Sequence, residues 1–195
     1  MLKSITLAIA IVALLPLSAT AQEYSFNVDS KFVNIAFESQ MDVEDILGST
    51  HEVSGKLQFD GRKGNFNLAV PVKSLKTGID MRDEHLRSPM WLDAEAHPEL
   101  TFKGDKIRCW GDGKYEVTGA RPLHGVSQPL TVVVATRVIP AERASKLMMG
   151  DTDWLRVRAS FKVKLSDHGV KIPDMAAAKV SDEWTVKVSL FAKEL

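Results

Sequence analysis

The chain has 195 residues with 25 basic and 25 acidic side chains, so its formal charge is zero. A protein that grips a polyanion needs a basic surplus on one face, and this balance sets nucleic acid aside as a partner. Cys109 is the single cysteine, so no intrachain disulfide can staple the fold, and a core must hold it.

The opening MLKSITLAIAIVALLPLSATAQ carries Lys3, an apolar run from Ile5 to Leu17 broken only by Thr6, and the small-x-small triplet Ala19-Thr20-Ala21. That is the pattern of a cleavable secretory signal peptide, and its run of 13 residues falls short of a spanning helix. Residues 1–21 are therefore expected to be a signal peptide, with cleavage after Ala21, a mature domain over 22–195 and a periplasmic location. No other stretch is apolar and long enough to cross a bilayer.

Beyond the leader the dominant period is two. In LRVRASFKVKL, Leu155, Val157, Ala159, Phe161, Val163 and Leu165 alternate with Arg156, Arg158, Ser160, Lys162 and Lys164. One face of such a strand is apolar and the other meets water. NFNLAVPV and EWTVKVSL repeat the pattern, and further strands are expected over 32–38, 56–60, 100–103, 106–110, 114–119 and 130–138. GDG at 111–113 and DGRKGN at 60–65 supply hairpin turns. Residues 141–154, rich in Ala, Lys, Leu and Met, read as a short helix or ordered loop, and 168–183 as a long connection. Without a βαβ rhythm the sheet should be antiparallel. A strand of eleven residues with one apolar face must bury that face along its whole length. An antiparallel eight-stranded barrel does so and leaves no open edge; a two-sheet sandwich is the alternative. Cys109 shares strand phase with Ile107 and is expected to be buried.

One stretch departs from this rhythm. MRDEHLRSPMWLDAEAHPELTF, 81–102, gathers Asp83, Glu84, His85, Asp93, Glu95 and His97. Zinc sites favour histidines at i, i+4 on a helix or tight Cys/His spacings, whereas His85 and His97 stand twelve apart with Pro89 between them. No G-x-S-x-G elbow occurs, and no spacing favours a carboxylate pair. Neither a metal site nor a catalytic residue is expected, and no cofactor. The residues are accounted for by a helical crossover laid over a barrel end: Thr77 or Asp80 caps a helix through Arg82 to Arg87, and Asp83 pairs with Arg87 at i, i+4 on the exposed side. Leu86, Met90, Trp91 and Leu92 offer apolar anchors.

Four segments, in order, carry a resemblance. They are Arg82-Asp83-x-His85-Leu86-Arg87-Ser88 with Leu92, Asp93, Pro98 and Phe102 behind it, VSGKLQFD at 53–60, VTGARPLHGVSQPLTV at 117–132, and ASFKVKLSDHGV at 159–170. Over essentially the whole mature chain the sequence resembles the YceI-like family of exported, lipocalin-like proteins that bind polyisoprenoid or related lipids. The resemblance implies that Arg82, Asp83, His85, Leu86, Arg87 and Ser88 form a structural crossover, with His85 as the hydrogen-bonding residue that pins it. Arg121 and Pro122 depart from the alternation of that family's hairpin, where a bulge or weak seam is expected, and Gln40-Met41 stand where the family often has a His.

The function implied is binding rather than catalysis: an isoprenoid or acyl chain held in the apolar interior, as carrier or sequestering protein. From strand phase, the expected lining is Ile35, Phe37, Leu57, Phe59, Leu68, Val70, Phe102, Val132, Val134, Val157, Phe161, Val186 and Val188. The alternatives are a non-catalytic interaction module linked to envelope or stress response, and an enzyme acting on a lipid. The protein partner and the oligomeric state, a homodimer included, are left open.

Overall fold

The computed structural model describes residues 21–61 and 63–195, so the expected signal segment up to Thr20 lies outside the described residues. Among the described residues ten strands form one antiparallel sheet. In chain order they are β1 (Gln22–Ser25), β2 (Val33–Ser39), β3 (Ile46–Thr50), β4 (Ser54–Phe59), β5 (Gly64–Pro71), β6 (Glu99–Gly111), β7 (Lys114–Leu123), β8 (Val126–Ile139), β9 (Trp154–Lys164) and β10 (Glu183–Glu194). Two short helices interrupt them, α1 (Asp80–Arg87) after β5 and α2 (Ala141–Lys146) after β8.

Eight strands close on themselves. β4 through β10 pair in sequence order, save that the edge of β10 returns to β1, and β1 pairs with β4. The closing ladder is short: Tyr24 faces Glu194 and Ser25 faces Lys193 on one side, while Gln22 to Ser25 face Phe59 to Lys56 on the other. The expected eight-stranded barrel is therefore the architecture, and the sandwich is set aside by this closure.

β1 and β2 share one edge of β10. A 3₁₀ turn at Ser30–Phe32, where the Asp29 carboxylate accepts from the Lys31 N–H at 3.2 Å, separates them. Past it, β2 runs along Thr185 to Leu190 of β10 and pairs outward with β3. β3 meets the far side of the barrel through a bridge, Ser49 and Lys76 exchanging backbone hydrogen bonds of 2.8 and 2.9 Å, and through the Thr50 and Ser74 hydroxyls at 2.6 Å. One barrel end is thus closed by a ladder; the other is closed by the chain around Lys76 and by α1.

The alternation read in β9 governs the sheet. Its pairs with β10 run unbroken from Lys164 opposite Glu183 to Trp154 opposite Lys193. β6 is one strand where two were expected. It bends at a register shift between Lys103 and Lys106, where Gly104 and Gly119 let the β6 and β7 backbones approach; a Cβ on Gly104 would lie 2.8 Å from Gly119 Cα.

One expectation, a bulge or a weak seam at Arg121-Pro122, holds in its second form, and another is corrected. The Arg121-Pro122 hairpin has no bulge: β7 and β8 pair continuously from Lys114 opposite Ala135 to Leu123 opposite Val126. His124 and Gly125, at φ +49° and +77°, make the two-residue turn. Leu123 and Val126 close that turn, so the Pro122 nitrogen points to the opposite side, where the β6 ladder has ended at Ala120, and no bond is lost. Cys109 is exposed rather than buried, because β5 leaves β6 at Gly104 and the hairpin tip projects past it.

The buried side chains fall into two groups. Near α1, Phe37, Val72, Leu75, Leu92, Leu123, Leu165 and Trp184 pack together. At the opposite end, Tyr24, Phe26, Val33, Leu155, Leu190 and Ala192 do so.

Candidate functional site

Between these two plugs the barrel is hollow. A cavity of about 250 Å³ runs along the interior and is lined by side chains from both plugs and from the strands joining them. At mid-barrel the inward-facing Leu68, Val70, Val157, Phe161, Val186 and Val188 are only partly buried, although every one points away from bulk solvent. In a filled small barrel these positions would be the driest of all, because close-packed interiors leave few voids larger than a water molecule. Apart from Thr101 and Arg121, every lining side chain is apolar.

Of the lining expected from strand phase, Ile35, Phe37, Leu68, Val70, Phe102, Val132, Val134, Val157, Phe161, Val186 and Val188 border this cavity. Leu57 and Phe59 do not. They share the inward phase of β4, but β4 sits toward the other end of the barrel. Leu57 packs on the Tyr24–Leu190 plug, and Phe59 meets Tyr115 edge-on at 5.2 Å between ring centres. Further lining residues carry the same parity but stand outside the expected lining: Ala159 and Val163 on β9, Leu165 just past its end, Leu190 on β10, Leu100 on β6 and Leu130 on β8. Leu86, Trp91 and Leu92 reach in from the crossover, as its anchors were expected to; Met90 instead is exposed.

The crossover is pinned by a different residue from the one expected. His85 lies on the exposed side of α1, and its ring makes no hydrogen bond among the described residues. Asp83 is 2% exposed, where an exposed ion pair had been expected. Its Oδ1 accepts from the Thr77 backbone N–H at 2.6 Å and from Thr77 Oγ1 at 2.7 Å. Its Oδ2 lies 3.7 Å from Lys76 Nζ and 3.9 Å from Arg87 Nη2. Burial pushes the carboxyl up, but the Thr77 bonds and the Lys76 and Arg87 charges outweigh it and hold it below its usual value. Thr77 therefore does not cap α1 in the ordinary way. It donates to a carboxylate inside the first turn and draws the incoming chain against the helix. Arg82 extends the clamp to the β2–β3 connection, donating to Glu44 at 2.6 Å. Among the described residues no group of three His, Cys, Asp or Glu side chains converges as metal ligands would.

Behind the crossover, His168 is fully buried and its Nδ1 donates to the Val126 carbonyl at 2.8 Å. Burial pushes its pKa below the usual histidine value. The ring ties the 3₁₀ turn at Ser166–His168 to the start of β8, at the end of the barrel that carries Arg121.

A closed antiparallel barrel with packed ends and an apolar chamber between them defines a lipocalin-like architecture. The chain belongs to the YceI-like family, whose domain matches residues 24–192. It is 31% identical to the UPF0312 protein VPA0850 of Vibrio parahaemolyticus over 172 residues, which is 84% of this chain and 86% of that one. Among solved structures its fold is similar to that of BcnA from Burkholderia cenocepacia, with a TM-score of 0.71 at 23% identity, over 85% of this chain and 99% of that one. It is also similar to a polyisoprenoid binding domain from Saccharophagus degradans, with a TM-score of 0.64 at 17% identity, over 89% of this chain and 98% of that one.

Proposed function

We propose that this protein binds a long-chain lipid, an isoprenoid or a related chain, inside the barrel, and that it does so as an exported periplasmic carrier or sequestering protein. The observation that carries the reading is the hollow middle, where large apolar side chains line a chamber that no side chain of the described residues fills. A chain entering it leaves water, and each buried CH₂ contributes about 0.8 kcal/mol. Association and ordering costs oppose this gain, so area alone sets no affinity. The family and the polyisoprenoid-binding relative support the isoprenoid class. Lys3, the Ile5–Leu17 run and Ala19-Thr20-Ala21 support export, which N-terminal sequencing of the protein from a periplasmic fraction would test.

The binding reading is tested on Phe161, which faces the chamber from the middle of β9. Removing a benzyl group from the lining forfeits roughly 1.5–3 kcal/mol of apolar contact, which is about 10- to 100-fold in affinity. A fluorescent prenyl-chain probe should bind saturably and should bind Phe161→Ala more weakly by that factor. Organic extraction of the purified protein should release a long-chain lipid detectable by mass spectrometry. An unchanged affinity in Phe161→Ala, with no lipid released, overturns the proposal.

A further inference from the structure

One charged side chain enters the apolar chamber. Arg121 lies on β7 in phase with Val117, Gly119 and Leu123, and its side chain borders the cavity. Its Nε and Nη1 are buried and meet no hydrogen-bond partner among the described residues. No Asp or Glu lines the chamber. Asp167 lies near enough for its charge to act on Arg121, but outside ion-pair distance, and its side chain is exposed. Two other arginines with buried, unpartnered nitrogens are compensated differently: Arg87 lies 3.9 Å from the Asp83 carboxylate, and Arg156 stacks 5.2 Å from the Phe191 ring centre. Arg121 has neither kind of neighbour.

An uncompensated guanidinium in an apolar chamber is costly to keep, and its planar fork of N–H donors is the shape that grips two oxygens of one carboxylate or phosphate. Arg121 sits two residues from Leu123 of the α1-end plug, while Phe26 and Leu190 border the same cavity from the opposite plug. A ligand whose head reached the Arg121 guanidinium would therefore have a polar seat at one end of the chamber and hydrocarbon along the rest.

We infer that the chamber takes an anionic single-chain amphiphile, with a carboxylate or phosphate head seated on Arg121 and the tail running toward Phe26 and Leu190. This rests on the lipid-binding reading and narrows it. The head group selects, and the Arg121 fork, rather than tunnel width alone, is the selective element. Burial pushes the guanidinium below its usual pKa, but an arginine in a protein stays cationic at neutral pH.

The test uses cis-parinaric acid and its methyl ester as fluorescent probes of equal chain length, titrated into the purified protein. Hexadecyl phosphate and hexadecanol serve as competitors. A straight chain is thinner than an isoprenoid, so it enters any tunnel that an isoprenoid enters. Wild type should bind the acid at least tenfold tighter than the ester. Arg121→Leu should bring the acid-to-ester ratio to about one, whereas Phe161→Ala should weaken acid and ester alike and keep the ratio. If hexadecyl phosphate displaces the probe better than free parinaric acid does, the seat is for a phosphate; the reverse order makes it a carboxylate seat. Arg121→Lys keeps the charge without the fork. It should retain the sign of the preference and reduce its size, and it carries the test should Arg121→Leu fail to fold. An acid-to-ester ratio unchanged in Arg121→Leu, or unchanged in Arg121→Lys where the leucine variant does not fold, overturns the head-group seat and leaves the lipid reading standing. Failure of wild type to bind any of the four compounds overturns both.

Discussion

Replacing Asp83 should loosen the whole α1 end of the barrel. The side chain is 2% exposed and spends one oxygen on two Thr77 donors at 2.6 and 2.7 Å. Lys76, next to Thr77, carries the backbone bridge to Ser49 of β3, which is the described backbone link from β3 across the gap toward β5. Asp83 thus holds α1 to the segment that closes the barrel. Hydrogen bonds to a charged group contribute about 1.5–3 kcal/mol each, and two that share one acceptor are not additive, so Asp83→Ala should cost roughly 2–4 kcal/mol. Asp83→Asn keeps an acceptor but loses the charge and should cost about half of that. Urea unfolding reads the effect as a lower midpoint at unchanged slope. The pH dependence supplies an independent check. The folded-state carboxyl lies below its usual 3.8, so its contribution is present above that value and is lost as pH falls through the lowered one. The gap between wild type and Asp83→Asn should therefore persist above pH 3.8 and close below it. If Asp83→Ala unfolded within about 0.5 kcal/mol of wild type, the size expected of an ordinary surface change, the clamp described here would be wrong.

Three further outcomes follow from the same geometry. His85→Ala should change stability by no more than about 0.5 kcal/mol in the same urea assay, because its ring is exposed and holds no bond; a larger loss would restore it as the pin. His168 is buried with its pKa held below the usual 6.5, so the unfolded chain takes up the proton first and stability should fall as pH drops below 6.5. In His168→Asn, whose amide nitrogen can take the place of Nδ1, that slope should flatten; equal slopes in the two proteins count against the assignment. Gly48→Ala should lower the melting temperature by an amount equivalent to about 1–3 kcal/mol, since the added Cβ collides with the Phe37 ring and lies 2.9 Å from the Lys76 carbonyl oxygen; an unchanged melting temperature would mean the ring swings aside freely.

The barrel strands were legible because each carries its own period-two pattern, and β9 is the clearest case. β1 and β3 were not. Gln22–Ser25 is too short for a period to register, and in β3 the outward position is an exposed Leu47 while an inward one is Gly48 under the Phe37 ring. Their strand character comes from partners far away in the chain, as in Tyr24 opposite Glu194. The crossover was legible as a helix but not in its facing. Asp83 and Arg87 share a helix side by their spacing alone, yet whether that side meets water or protein depends on Thr77 and Lys76 lying across from it. At Arg121-Pro122 the ladder to β8 runs straight through while the one to β6 has ended at Ala120, so Pro122 marks a seam rather than a bulge, and Arg121 interrupts the polarity of the face.

Whether a barrel is hollow or filled cannot be seen in alternation, since both need the same apolar parity on every strand. The distinction is one of volume, and here it is resolved along the barrel axis. Trp184, Phe37 and Leu165 fill one end, while Tyr24, Phe26 and Leu190 fill the other. With side chains packed at both ends, the Val157 and Phe161 level between them faces an open chamber. It follows that a chain bound there should act as the missing third layer. Because it contacts the folded barrel and finds no comparable site on the unfolded chain, it must raise the melting temperature in proportion to the logarithm of its free concentration above Kd. A ligand that bound the outer face of the sheet would stabilise too, but Phe161→Ala would leave its effect untouched. The dependence of ligand-induced stabilisation on Phe161, an interior residue, therefore separates a barrel that carries its ligand inside from one that only docks it.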